Sequence, residues 1–279
     1  MIFEPRSSIL RRLLRGLVSA VIVVAALFPI FWGLMTSLKP ARDIVQFPPS
    51  LLPATVTFEH YVSIFKAGAF GFLLNSLLVS AGTVALCLGI GALAAYGLAR
   101  FEFPGKRAVM VAIIAVMSIP VASLLIPTYT LIAEIGLVNT HTGLILVYSA
   151  YQLPIVIWIL AAYYQSLPIE LEWSAMMDGY SRMQALWKVV LPLSRPGLIA
   201  AGLFVVVFAW NDFVVAVTLL SSEETRTLPI GIYNFLGFYG REWGPLLAAS
   251  MVSTIPLLVI FVILQRYFMA GMTNGSVKG

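Results

Sequence analysis

Six long apolar runs dominate this sequence, at residues 17–38, 72–99, 108–131, 143–164, 197–220 and 246–268. Each reaches the roughly 20 residues that an α-helix needs to cross the hydrocarbon layer of a bilayer. In that layer backbone N–H and C=O groups find no water, so an apolar run must satisfy itself as a helix. Composition agrees: 60% of residues are hydrophobic and 10% charged, with a mean hydropathy of +0.96, where a soluble domain carries about 25% charged residues. The expected fold class is all-α, a polytopic membrane protein with six transmembrane helices. One cysteine, Cys87, and two histidines exclude an internal disulfide and a Cys/His zinc cluster.

The net charge of +5 does not mark a nucleic-acid surface, because the basic residues flank the apolar runs. If the six runs are crossed alternately, one side holds Arg6, Arg11, Arg12, Arg15, Arg100, Lys106, Arg107, Arg182, Lys188, Arg195, Arg266 and Lys278. The other holds Lys39, Arg42, Lys66, Arg226 and Arg241. The excess of positive charge predicts that both termini are cytoplasmic. Residues 1–16 form an Arg-rich lead-in to a first run longer than a signal-peptide core, so a retained first helix is expected.

Pro29, Pro120, Pro127, Pro154 and Pro256 punctuate the spans, each removing a helix hydrogen bond. Gly82, Gly89, Gly91, Ala95 and Gly97 thin the second span enough for close helix packing. Gly89-Ile90-Gly91-Ala92-Leu93-Ala94 satisfies a dinucleotide-binding pattern by its letters, but that fingerprint needs a strand before it and a helix after it, and here it lies inside one apolar helix. Asn274-Gly275-Ser276 fits a glycosylation acceptor, yet falls on the cytoplasmic side.

The segment 168–192, on the cytoplasmic side between the fourth and fifth runs, is more than a linker. Pro168 suits a first helical turn, with Glu170 and Glu172 near its positive end. Gly179 can stop that helix, and a second runs from about Ser181 to Leu191, ended by Pro192. Leu171, Ala175 and Met176, then Met183, Leu186, Trp187 and Val190, recur at helical spacing, giving each short helix a greasy face. Such a face lies on the lipid interface or docks into a partner.

In this loop Ser174, Ala175, Asp178, Gly179, Leu191 and Pro192 fall in the register of a known hallmark: Glu-Ala-Ala, two variable residues, Asp-Gly, and Leu-Pro about a dozen residues on. The chain resembles the membrane subunits of binding-protein-dependent ATP-binding cassette importers. Trp173 occupies the usual Glu position and Ser174 the first Ala, so Glu172 would have to supply the acid toward the ATPase, or that contact is lost. The resemblance covers nearly the whole chain through Thr36-Ser37-Leu38-Lys39-Pro40, Asn75-Ser76, Ala95-Tyr96-Gly97-Leu98-Ala99-Arg100-Phe101, Phe103-Pro104-Gly105, Trp210-Asn211-Asp212 and the ending Gly271 to Gly279. It is similar to the sugar-importing branch, to which the smaller permease subunit of the maltose transporter belongs.

What the resemblance implies is a permease domain over residues 17–268, with a coupling segment at 168–192 and a cytoplasmic tail at 269–279. Glu170, Glu172, Trp173, Ser174, Ala175, Met176, Asp178 and Gly179 would form the ATPase-coupling helix and its turn, Asp178 capping the next helix. Asn274, Gly275 and Lys278 would reach the ATPase interface. The implied partners are a second permease subunit in a heterodimer, two ATPase subunits, an extracytoplasmic sugar-binding protein and a carbohydrate, in a bacterial inner membrane. The outer segments, with Gln46, His60, Tyr61, Glu223, Glu224, Tyr233, Tyr239, Arg241 and Trp243, would meet the binding protein.

This chain carries no G-x-x-x-x-G-K-[ST] phosphate loop. Any ATP and Mg would therefore bind to partner subunits, with no cofactor, metal or catalytic residue expected here. Asp212 is the one carboxylate well inside a predicted span, and such a residue is costly. With Trp210 and Asn211 it would either line a substrate path, offering hydrogen bonds and a stacking face, or tie the fifth helix to its neighbours. The expected function is import of a carbohydrate by alternating access. The alternative is an ion-coupled secondary transporter of a small polar solute, its site built on broken helices.

Overall fold

In the computed structural model, which describes residues 9–234 and 242–275, the chain is α-helical and no β-strand occurs among the described residues. Among the described residues, four helices are long and apolar enough to cross a membrane: α1 (Ile9–Ser37), α4 (Ala69–Arg100), α7 (His141–Ser166) and α14 (Trp243–Gly275). Two sharply bent pairs bring the number to six if each counts as one span. The helices divide into two compact units, residues 1–67 with 232–254, and residues 68–231 with 255–279.

In the first unit the corner after α1 is held by the motif Thr36-Ser37-Leu38-Lys39-Pro40. Short α2 (Ala41–Ile44) and α3 (Glu59–Lys66) follow. Ser37 Oγ donates to the Leu34 carbonyl and meets the Tyr61 hydroxyl, each at 2.8 Å. Lys39 is buried, donates to the Ser50 carbonyl and lies over the Trp32 ring. His60 pairs with the Lys39 carbonyl at 2.9 Å, which adds to the hold on this corner.

The second unit is built on α4 and α7. A Cβ on Gly91 would lie 2.6 Å from Val156 Cγ1, and one on Gly82 2.7 Å from Ile145 Cδ1. These two glycines permit the close approach, whereas Gly89 and Gly97 face open space. The dinucleotide-like run lies wholly within α4, as its apolar surroundings predict.

The third apolar run is not one straight helix. α5 (Lys106–Met117) and α6 (Val121–Glu134) meet at a 99° bend, because Pro120 lacks a donor and pushes the residue before it out of the α region. Pro29, Pro127, Pro154 and Pro256 stay inside their helices. The fifth run also divides: α11 (Arg195–Asn211) stops, Asp212 is extended, and α12 (Val214–Leu219) resumes. α14 continues past residue 268 to Gly275 without a break.

Candidate functional site

Segment 168–192 folds as two short helical pieces joined by a tight turn. α8 (Glu170–Met177) begins after Pro168 with both glutamates in its first turn, where the helix dipole favours them. It ends at Gly179, whose φ of +93° lies in the left-handed region open to glycine. The Tyr180 amide donates to the Ala175 carbonyl and the Gly179 amide to Met176, both at 3.1 Å, which is the paired closure of a Schellman turn.

The next helix is not capped by Asp178, as the sequence suggests. Asp178 is the C-cap of the first helix, and Ser181 caps α9 (Arg182–Ala185) in a reciprocal box with Gln184. Pro192 does not end the helix either. A π-helical turn over Leu186–Val190 precedes α10 (Leu191–Leu193), and the chain then bends by 78° into α11. Inserting an extra residue per turn just before a proline is one way to relieve the clash with the carbonyl four residues back.

The expected greasy face divides in two. Ala175, Ala185, Leu186 and Val190 are buried, the last two in a cluster with Ala95, Tyr96, Leu98, Leu160, Tyr164 and Val205 of α4, α7 and α11. Leu171, Met183 and Trp187 point outward instead, joined by Trp173 at 52% and Met177 at 88% exposure. Ser174, Asp178 and Gly179 are also exposed, and Met176 is half-buried. One side of the helix pair thus continues the core, and the other is an unusually apolar outer surface.

Glu172 is turned inward. Its carboxylate accepts from Arg100 Nε at 2.6 Å and from the Tyr96 hydroxyl at 2.8 Å, and Arg100 also donates to the Leu167 carbonyl. Both charged side chains are 6% exposed. The expectation that Glu172 supplies an outward acid gives way to this bracing role, while Glu170 remains exposed. In the sequence Tyr96 enters through a motif, and Arg100 through that motif and the charge count; neither marks a partner for Glu172. The signal that points to them is their i, i+4 spacing at the C-terminal end of a helix, where one face and a cation belong together. Arg182 lies over the Phe101 ring and Lys188 over Tyr180, tying the loop further to itself and to the end of α4.

The second candidate cluster is also resolved into roles. Asp212 Oδ1 accepts from the Tyr148 hydroxyl at 2.8 Å and from the amides of Val215 and Ala216 at 3.0 and 3.1 Å, so it caps α12 and binds α7. Trp210 is 1% exposed and presents no open stacking face. Asn211 is exposed and donates back to the Val207 carbonyl. Asn75 and Ser76 hold the 224–228 strand of loop to α4 through the carbonyls of Glu224 and Arg226 and the amide of Leu228. No group of metal-ligating side chains occurs among the described residues. Asn274 and Gly275 lie at the end of α14, while Lys278 and residues 235–241, with Tyr239 and Arg241, lie outside the described residues.

This arrangement matches known proteins over almost the whole chain. Residues 87–274 match the family described as "Binding-protein-dependent transport system inner membrane component". The trehalose transport system permease protein SugB of Mycobacterium tuberculosis is 39% identical over 267 residues, 95% of this chain and 97% of that protein. The trehalose/maltose transport system permease protein MalG of Thermococcus litoralis is 34% identical, with 98% and 99% covered. The crystal structure of a bacterial ABC transporter involved in import of the acidic polysaccharide alginate contains a chain of the same fold, with a TM-score of 0.80, 22% identity, and 96% and 100% covered. The chain is therefore a multi-pass inner-membrane permease of the binding-protein-dependent ATP-binding cassette family, alongside its sugar-transport members.

Proposed function

We propose that this chain is one of two permease subunits in an importer that carries a carbohydrate into the cytoplasm by alternating access, driven by separate ATPase subunits. Six crossings, taken as the four long helices, the α5–α6 pair and α11 with α12, together with the distribution of Lys and Arg, support a cytoplasmic position for both termini and for segment 168–192. The observation that carries the coupling role is the two-faced helix pair. Its inner side is fixed by the Glu172–Arg100–Tyr96 brace and the shared core, and its outer side offers Trp173, Met177, Met183 and Trp187.

An apolar face on a water-exposed loop is costly unless a partner covers it. A cytoplasmic ATPase seated on it would transmit its closure through the brace to α4 and through Leu186 and Val190 to α7 and α11. ATP and Mg would belong to that partner, which Asn274, Gly275 and Lys278 of the tail would contact. An extracytoplasmic sugar-binding protein would deliver the substrate, as the alginate pentasaccharide-bound periplasmic protein found in complex with the bacterial alginate ABC transporter suggests. The ion-coupled alternative loses its intended site, since Asp212 is engaged in capping and interhelical bonding.

Gly179→Pro tests the coupling. Proline holds φ near −65° and has no N–H, so it opposes both the +93° backbone and the bond to Met176. In the assembled complex the variant should insert normally but lose binding-protein-stimulated ATPase activity and uptake. Unchanged stimulation would overturn the coupling role.

A further inference from the structure

A cavity of about 250 Å³ lies in the second unit at the α5–α6 bend. Met117, Ile119 and Val121 form the corner, Tyr151 and Gln152 of α7 one wall, and Phe204 of α11 another. Gln152 is eleven residues along α7 from His141, about 16 Å from that end of the helix and so near the middle of a span. Its neighbours are engaged: Tyr148 with Asp212 and Tyr151 with Thr128, both at 2.8 Å. The Gln152 amide makes no hydrogen bond to any described residue and is partly exposed to the cavity.

An amide at mid-bilayer depth without a partner is costly in hydrocarbon. Lipid tails cannot satisfy it, whereas water or a hydroxylated solute can. Its oxygen accepts and its nitrogen donates, matching the mixed donor and acceptor character of sugar hydroxyls. Phe204 is 53% exposed and Tyr151 half-buried, so each offers a flat apolar surface beside that amide to the C–H face of a ring. The volume is below the roughly 300 Å³ at which pockets for drug-sized ligands begin, which suits one sugar ring of a longer chain.

We infer that Gln152, with Tyr151 and Phe204, forms a sugar-contact site of this subunit in the translocation path, taking a single neutral pyranose ring. The inference rests on the proposed importer function, and it moves substrate contact from Trp210–Asp212 to α7. A second permease helix packed over Gln152 is the competing arrangement, and the test separates the two.

Gln152→Cys is placed in the assembled importer in membrane vesicles and treated with a small charged methanethiosulfonate, with modification read by mass on this chain. Cys87 is wholly buried, so the unsubstituted chain supplies the background, and Trp158→Cys on the same helix gives a comparison site. Labelled trehalose, maltose and diacetylchitobiose are first screened for uptake by the unsubstituted complex. The expected result is modification of Gln152→Cys in at least one nucleotide state, slowed several-fold by a transported sugar, with Gln152→Leu raising the KM of uptake more than it lowers kcat. No modification in any nucleotide state, or modification that a transported sugar leaves unslowed, overturns the inference. If no sugar of the panel enters, modification of Gln152→Cys alone is read: its presence supports an aqueous path at this cavity, and its absence in every nucleotide state overturns the inference.

Discussion

At the scale of single residues, the Arg100–Glu172 pair is the most consequential contact in the chain. Removing one partner strands a buried charge, whereas removing both does not. Arg100→Met should destabilise the protein by about 3–5 kcal/mol, and Arg100→Met with Glu172→Leu should recover most of that loss. Unfolding of the purified protein in a denaturing-detergent titration checks both. If the double variant keeps stability but not stimulated ATPase activity, the brace serves coupling beyond its contribution to the fold. Asp212 makes a separate case. Asp212→Asn keeps an acceptor for Val215, Ala216 and Tyr148 and should behave nearly as the parent, while Asp212→Ala should lose about 0.5–2 kcal/mol, the usual worth of a cap. The same titration reads the difference, and an ion-coupled mechanism would instead show transport lost in both variants.

Elements in this chain are set as much by what breaks them as by what forms them. Pro120 turns one apolar run into a 99° corner, and the π-helical turn before Pro192 leads straight into α10, with Ser194 alone between it and the 78° bend into α11. Close packing of α4 on α7 rests on glycines with unequal tolerance. At Gly82 an added Cβ meets the far end of Ile145, which can rotate away; at Gly91 it meets Val156 Cγ1 at 2.6 Å, on a β-branched side chain with one favoured rotamer in a helix. Gly82→Ala should therefore be mild and Gly91→Ala cost about 1–3 kcal/mol, the usual range for overpacking. Thermal midpoints of the two purified variants give the ranking, and equal midpoints would mean that the helices move apart freely at both places. The small-residue stripe of α4 was legible in the sequence, but only the packed partner shows which glycines are needed.

For the whole molecule, the buried share of the four long apolar spans runs from 6% in the first to 39% in the third, so most of this apolar surface must be covered by lipid or by other subunits. The expected orientation can be read directly. In intact cells a membrane-impermeant thiol reagent should modify Glu224→Cys and leave Ser174→Cys unreacted until the membrane is opened. The reverse pattern would invert the topology. Number and place of the apolar runs, the loop with its Asp-Gly turn, and the family register were all fixed by local properties: hydropathy, helical periodicity and the positions of Pro and Gly. Those properties are summed over neighbours in the chain, and no long-range knowledge is needed to see them. The inward turn of Glu172, the division of the greasy face and the use of Asp212 as a cap were decided by the tertiary structure. Their partners stand 72 residues away at Arg100 and 64 away at Tyr148, and a sequence pattern says which side of a helix is apolar without saying which surface, core or partner, that side will meet.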